Sequence, residues 1–264
     1  MSRPPAPPVP VSPPTPAPVL NVSTYRFVPL EGLEDLREHL HRNAEGRGLK
    51  GTVLLAPEGI NLFLAGAAGE VRGWLDALRA DPRFAGLDAK ESWSDAPPFR
   101  RLKVKVKREI IRMDHPTIRP AAGRAPSVAP ATLVRWLAQG RDDDGREVVT
   151  LDTRNAFEVD AGTFEGAIDW RLSRFGEFPA ALEAHLDALS GRTIVSFCTG
   201  GIRCEKAALL MRERGLDHDF QLEGGILRYF EETAGAAPGW RGDCFVFDER
   251  VALDADLVPS SPAA

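Results

Sequence analysis

The stretch TIVSFCTGGIRCEKAALLM, residues 193–211, decides the reading of the chain. Thr193 to Phe197 reads as a buried strand that runs up to Cys198. Thr199, Gly200, Gly201, Ile202 and Arg203 then turn the chain into a helix that begins near Cys204. In open α/β sheets, ligands bind at the carboxyl ends of strands, where this loop falls. The two glycines permit positive φ and let backbone N–H groups converge on one point. The helix N-terminus adds partial positive charge and Arg203 a full one. Together they favour the thiolate of Cys198, which is the competent nucleophile. A lone cysteine at a strand end is usually a small buried hydrophobe. Here Gly-Gly, an arginine and a helix start coincide within one short loop, so Cys198 reads as a catalytic residue in an anion cradle formed by residues 199–203. Cys204 keeps two readings, a resolving thiol for an oxidised Cys198 or a packed residue at the helix start. Cys244, in the run CFVFD, reads as core with a raised pKa.

Working outward, helices at 131–139, 179–189, 204–214 and 226–232 alternate with strands at 148–151, 193–197 and 220–222. Such alternation implies a parallel sheet covered on both faces, an α/β domain over residues 131–250. Upstream, residues 21–112 have a different rhythm. A strand at 23–28 precedes a helix at 33–41 with Leu33, Leu36 and Leu40 at helical spacing. GTVLLA and INLFLAG are strands separated by the turn Pro57-Glu58-Gly59. A helix at 71–78 and a last strand at 99–111 complete a β-α-β-β-α-β order. That order is the ferredoxin-like, acylphosphatase-like α+β arrangement. Prolines 116, 120, 126 and 130 oppose regular structure, so residues 113–130 read as an interdomain linker. Residues 1–20 are proline-rich and read as a solvated, polyproline-biased tail, and residues 251–264 as a C-terminal tail.

Composition bounds the function. The 264 residues are 43% apolar and 27% charged, ordinary for a globular protein. A net charge of −5 gives no global field for nucleic acid, so any RNA contact needs a local basic patch. Three cysteines form no disulfide framework and fit a reducing compartment. Prolines break every apolar run of the first twenty residues, which excludes a signal peptide, and no segment is long and apolar enough to span a bilayer. A cytoplasmic location is expected by elimination, with no membrane contact and no obligate protein partner evident.

The residues carry two resemblances. Cys198-x-x-Gly201-x-Arg203, with Leu151-Asp152-Thr153-Arg154 upstream and Leu222-Glu223-Gly224-Gly225-Ile226 downstream, resembles the active loop and flanking signatures of rhodanese domains. In that superfamily the cysteine carries a persulfide or an equivalent adduct. Further, CTGGIRCEK, LEGGILRYFEE, CFVFDERV, KGTVLLAPEGIN and RLKVKVKREII look like the rhodanese-containing tRNA uridine hydroxylase family, over roughly residues 21–255. The resemblance implies oxygen-dependent hydroxylation of the wobble uridine of tRNA to 5-hydroxyuridine. It gives the catalytic role to Cys198, with molecular oxygen as co-substrate, tRNA as partner and an unspecified electron donor. One departure stands out. Many members carry a cysteine-rich segment after the rhodanese domain, whereas this chain runs on as VALDADLVPSSPAA, so no metal site is expected there.

In the basic stretch 99–112, Leu102, Val104 and Val106 alternate with Lys103, Lys105 and Lys107. In a strand this separates an apolar face from a row of ammonium groups. Arg100, Arg101, Arg108 and Arg112 extend a stripe suited to a phosphate backbone, although lysines also protect ordinary edge strands. Trp93, Phe99 and Phe175 are candidates for stacking on an unpaired base. Asp152 and Arg154 are expected to brace the loop rather than react, while Glu205 and Lys206 sit on the first helical turn, where the dipole explains a glutamate. Two chemistries remain open: addition of the thiolate to uridine C6, making C5 enolate-like, or a cycle through a persulfide or sulfenate. Rival functions are a plain sulfurtransferase working through a Cys198 persulfide, a cysteine phosphatase and a non-catalytic RNA-binding module. The phosphatase reading is disfavoured because the loop from Cys198 to Arg203 is one residue short for that chemistry.

Overall fold

The computed structural model describes residues 18–260. The first unit comprises β1 (Val19–Phe27), α1 (Leu33–Gly46), β2 (Lys50–Ala56), β3 (Gly59–Gly66), α2 (Ala68–Arg79), β4 (Lys90–Ser94) and β5 (Leu102–Val106). The strand order is β4-β1-β3-β2-β5. β3 runs antiparallel between β1 and β2, and β4 runs antiparallel on the outer side of β1. The β-α-β-β-α-β order is therefore as expected, with one correction. Its last strand is β4, which the sequence reading missed. The basic stretch forms a fifth strand over 102–106 rather than 99–111, pairing parallel with β2. β4 escaped notice because KESWS has no apolar face to bury.

Two periodicities sort this sheet. Leu20, Val22, Val53, Leu55, Ile60, Leu62 and Leu64 point to the helices and form one core with Val71, Trp74, Leu75 and Leu78 of α2, spaced i, i+3, i+4, i+7. The intervening residues Asn21, Ser23, Tyr25, Leu54, Asn61 and Phe63 line the opposite, helix-free face. The cross-strand pairs Asn21↔Ser92, Ser23↔Phe63, Tyr25↔Asn61 and Leu54↔Asn61 put them side by side. That face covers the second unit.

The second unit contains β6 (Ser127–Val128), α3 (Pro130–Gln139), β7 (Val148–Asp152), α4 (Ala156–Ala161), β8 (Gly162–Phe164), β9 (Ile168–Asp169) and α5 (Phe178–Leu189). It continues through β10 (Thr193–Phe197), α6 (Ile202–Glu213), β11 (Asp219–Leu222), α7 (Gly225–Glu232), β12 (Trp240–Gly242), β13 (Cys244–Phe245) and β14 (Ala252–Leu253). The order β6-β11-β10-β7-β9 is parallel throughout, with β10 at the centre. Separate apolar clusters fill its two faces, one around Leu151, Phe178, Leu182 and Met211, the other around Leu133, Phe197, Phe230 and Cys244.

The boundaries of the expected linker and tails shift. Val19 and Leu20 belong to β1, and residues 1–17 of the expected tail lie outside the described residues. Met113, Ile118 and Ala125 pack into the second core and Ser127–Val128 pairs with β11, so the proline-rich stretch is largely built into the second unit. Likewise Ala252–Leu253 pairs with β13, and Leu253 is buried, so the C-terminal tail begins later than expected. Prolines bar long ladders, yet they leave room for such short pairings.

Candidate active site

Every strand of the second sheet points its carboxyl end at the same rim, and Cys198 follows the central strand there. Its Sγ accepts a hydrogen bond from Gly201 N–H at 3.1 Å. Only Gly201 of the glycine pair has positive φ, +97°. Gly200 takes an ordinary conformation with open space at its Cβ position, which corrects the expectation that both glycines supply left-handed backbone. The loop is held from behind by the start of α7. Ile226 and Leu227 N–H donate to the carbonyls of Cys198 and Thr199 at 3.0 and 3.1 Å. Gly225 has a φ of +69°, and a Cβ there would lie 2.4 Å from the Cys198 carbonyl oxygen. The downstream Gly-Gly signature thus serves close approach of two backbones.

Burial alone would raise the Cys198 pKa. The neighbouring Cys204 thiol and the Arg203 guanidinium charge outweigh it, lowering the value from its ordinary 9.0 to about 5. Cys198 is therefore a thiolate at neutral pH, as the loop chemistry requires. Burial and the adjacent thiolate push Cys204 up, so it stays a thiol beside Cys198, with Thr153 Oγ1 3.7 Å from its Sγ. Cys244 is core, raised to about 12 by burial.

Arg203 is fully held. Glu158, 0% exposed, receives its guanidinium in a bidentate pair at 2.6 and 2.7 Å. Glu158 Oε2 also accepts from the Asn155 backbone N–H at 3.1 Å. Sequence reasoning missed Glu158, although Asn155-x-x-Glu158 has the spacing of a capping box. Asp152 and Arg154 form a second buried pair at 2.6 Å, with Arg154 also donating to the Gly162 carbonyl and Thr163 to Asp152. Arg154 lies over the Phe197 and Trp240 rings. They support the end of β7, which pairs with β10 beside the loop, and make no hydrogen bond to Cys198 among the described residues.

The first unit completes the site. Lys90, on β4, donates to the Gly200 carbonyl at 3.3 Å, and its pKa is lowered, chiefly by burial. Tyr25 on β1 donates to Glu205 at 3.1 Å, and its hydroxyl lies 3.1 Å from where a Gly201 Cβ would stand. Glu205 further accepts from Arg124 and Gln221 at 2.8 and 3.1 Å. Lys206, 2% exposed, reaches Glu58 at 2.9 Å, Glu109 at 2.5 Å and the Ile111 carbonyl at 2.9 Å. Glu205 and Lys206 are thus interdomain ties, a role that helix-dipole reasoning did not reveal. No single-segment pattern could pair them with Tyr25 and Glu58.

Between the units lies a cavity of about 510 Å³, walled by the helix-free face of the first sheet on one side and by Cys198, Thr199, Gly200, Ile202 and Arg203 on the other. Phe99 and Phe175 line it. Trp93, 44% exposed, stands outside. Of the basic residues, Lys105, Lys107, Arg100, Arg101 and Arg108 are exposed and Lys103 half-buried, while Val104 is buried. The register Thr52↔Lys103 and Leu54↔Lys105 places both lysines on the helix-free face that carries the cavity.

Two family models match the chain, a UPF0176 acylphosphatase like domain over residues 19–110 and a rhodanese-like domain over residues 133–232. A tRNA uridine(34) hydroxylase of Delftia acidovorans is 66% identical over 90% of this chain and 90% of its own. One of Bordetella pertussis is 66% identical over 92% and 99%, and one of Ralstonia nicotianae 60% over 92% and 86%. The chain belongs to the tRNA uridine(34) hydroxylase family. The two matched domains coincide with the two units that enclose the cavity. No helix among the described residues is long and apolar enough to cross a membrane.

Proposed function

We infer that this chain hydroxylates the uridine at position 34 of tRNA to 5-hydroxyuridine, with Cys198 as the nucleophile. The observation that carries the reading is that the Cys198 thiolate faces a cavity closed by a second domain rather than open solvent. Its volume falls in the ~300–1,000 Å³ range of small-ligand sites. Enzymes that modify a base take it out of the stack into such a pocket, and a loop base has no pairing partner to give up. A sulfur carrier has no need of that second wall.

The chemistry follows from the geometry. The thiolate adds to C6, forming a C–S bond and moving the C5–C6 π electrons toward the C4 carbonyl. The Lys90 ammonium, held by the Gly200 carbonyl, offers a cation to the developing enolate. C5 then reacts with molecular oxygen. One oxygen atom stays on C5 and the other leaves as water, with two electrons from an external reductant and two protons. Loss of the C5 hydrogen as a proton and expulsion of the thiolate restore the aromatic ring. Nucleoside mass spectrometry of tRNA from a deletion strain tests this. Rescue by the wild type restores 5-hydroxyuridine and rescue by Cys198→Ala does not. Unchanged 5-hydroxyuridine on deletion rejects the reading.

A further inference from the structure

A second, open groove of about 670 Å³ adjoins the catalytic cavity, and the two share Phe99, Val246, Phe247 and Asp248 as a common wall. Its floor includes Thr52, and its flank carries Arg100, Arg101 and Lys103. On the wall stands an aromatic cluster. Phe157–Phe245 and Phe245–Phe247 meet edge to face at 5.1 and 5.3 Å, and Phe157–Phe247 at 6.3 Å. Phe157 and Phe247 are 48% and 50% exposed. Aromatic rings of this size left half in water beside a cavity mark a contact surface.

Charge says what the surface meets. Both nearby carboxylates are engaged, Asp248 by Arg250 at 2.6 Å and Glu249 by Arg100 at 2.7 Å. Arg101 and Lys103 have no ion-pair partner among the described residues, so the groove carries an excess of positive charge. Cations on one side and a half-exposed aromatic ring on the other are the requirements of a single-stranded nucleotide, phosphate and base. Continuity with the catalytic cavity makes it a neighbour of the nucleotide held there.

We propose that this groove binds the nucleotide adjacent to the target uridine, its base stacked on Phe247 and its phosphates held by Arg100, Arg101 and Lys103. This rests on the uridine-34 reading and names how that site takes its RNA. Stacking of this kind tolerates sequence, because every base has a π-face. The phosphate displaces Glu249 from Arg100, while Arg101 and Lys103 need break no pair. Phe157, behind Phe247, holds the ring at its angle.

The test uses the full chain and an anticodon stem-loop carrying uridine 34. Its counterparts are stem-loops with an abasic site at position 33 or position 35. Phe247→Ala weakens binding of the intact stem-loop about tenfold to a hundredfold. One of the two abasic probes binds the wild type correspondingly less well, and the variant shows no further loss with it. Arg101→Ala reduces the slope of log affinity against log salt by about one contact's worth. The Cys198 thiolate titration is unchanged in each variant, which reports an intact loop. If the wild type hydroxylates the stem-loop while Phe247→Ala binds it equally well, or the two losses add in full for both probes, the groove assignment is overturned and the activity stands. If the wild type leaves uridine 34 unmodified, the activity falls and the groove assignment with it.

Discussion

Cys204→Ala should raise the pKa of Cys198. The Cys204 thiol is a close neighbour of the Cys198 thiolate inside the fold, and it is the first of the effects that offset burial there. A hydrogen bond to a charged group contributes about 1.5–3 kcal/mol. At about 1.4 kcal/mol per unit, losing it lifts the thiol by about one to two units, from about 5 to about 6–7. Cys204→Ser keeps a donor and should stay near the wild-type value. The assay is thiolate absorbance near 240 nm against pH, with Cys198→Ser as the blank, which needs no reagent to enter the site. The window is free of other signals. Cys204 and Cys244 titrate well above it, and the chain's two tyrosines, Tyr25 and Tyr229, are both raised by burial. The same titration has a stability counterpart. The folded value lies below the ordinary 9.0, so the thiolate's contribution is full above that pH and is lost as pH falls toward 5. Cys198→Ser should flatten the stability profile across that window. An absorbance midpoint unmoved by Cys204→Ala, or no Cys198-dependent absorbance below pH 8, refutes the argument.

Lys206→Met leaves the Glu58 and Glu109 carboxylates facing each other without their cation and should cost about 3–5 kcal/mol, read as a lower denaturant midpoint. Lys90→Met removes the first unit's cation from the cavity and should lower the hydroxylation rate about a hundredfold at unchanged unfolding midpoint; a wild-type rate would remove Lys90 from the chemistry. Gly225→Ala drives a methyl into the Cys198 carbonyl, so thermal unfolding should occur earlier and the thiolate titration should shift; a variant matching the wild type in both would mean that the loop is not braced from α7.

Local signals carried much of this structure. The parallel sheet, the helices flanking it and the cysteine loop were legible because each is written in one continuous segment, as β10, the loop and α6 are. Thr193–Phe197 is buried throughout, Thr193 and Ser196 included, as a strand between covered faces should be. What escaped depends on partners distant in sequence. Lys90 to Gly200, Tyr25 to Glu205 and Lys206 to Glu58 join residues more than a hundred positions apart. In the structure Asn21, Ser23 and Tyr25 form the side of β1 that faces the cavity, but nothing in their alternation with Leu20, Val22 and Thr24 says that a cysteine lies across from that side. The linker and the C-terminal tail misled for a related reason. Two-residue strands such as Ser127–Val128 and Ala252–Leu253 are too short to display a period.

The turn between β2 and β3 has only Pro57 and Glu58 between paired Ala56 and Gly59, and its glutamate ends on Lys206. Hairpin tips are ordinarily where chains accept added residues without harm. This one acts as a spacer of fixed length. A single inserted residue would carry the carboxylate about 3.3 Å along the strand axis and out of reach of the ammonium. Loop grafting at residues 57–58 should therefore unseat a distant catalytic pocket, although no grafted atom would touch it.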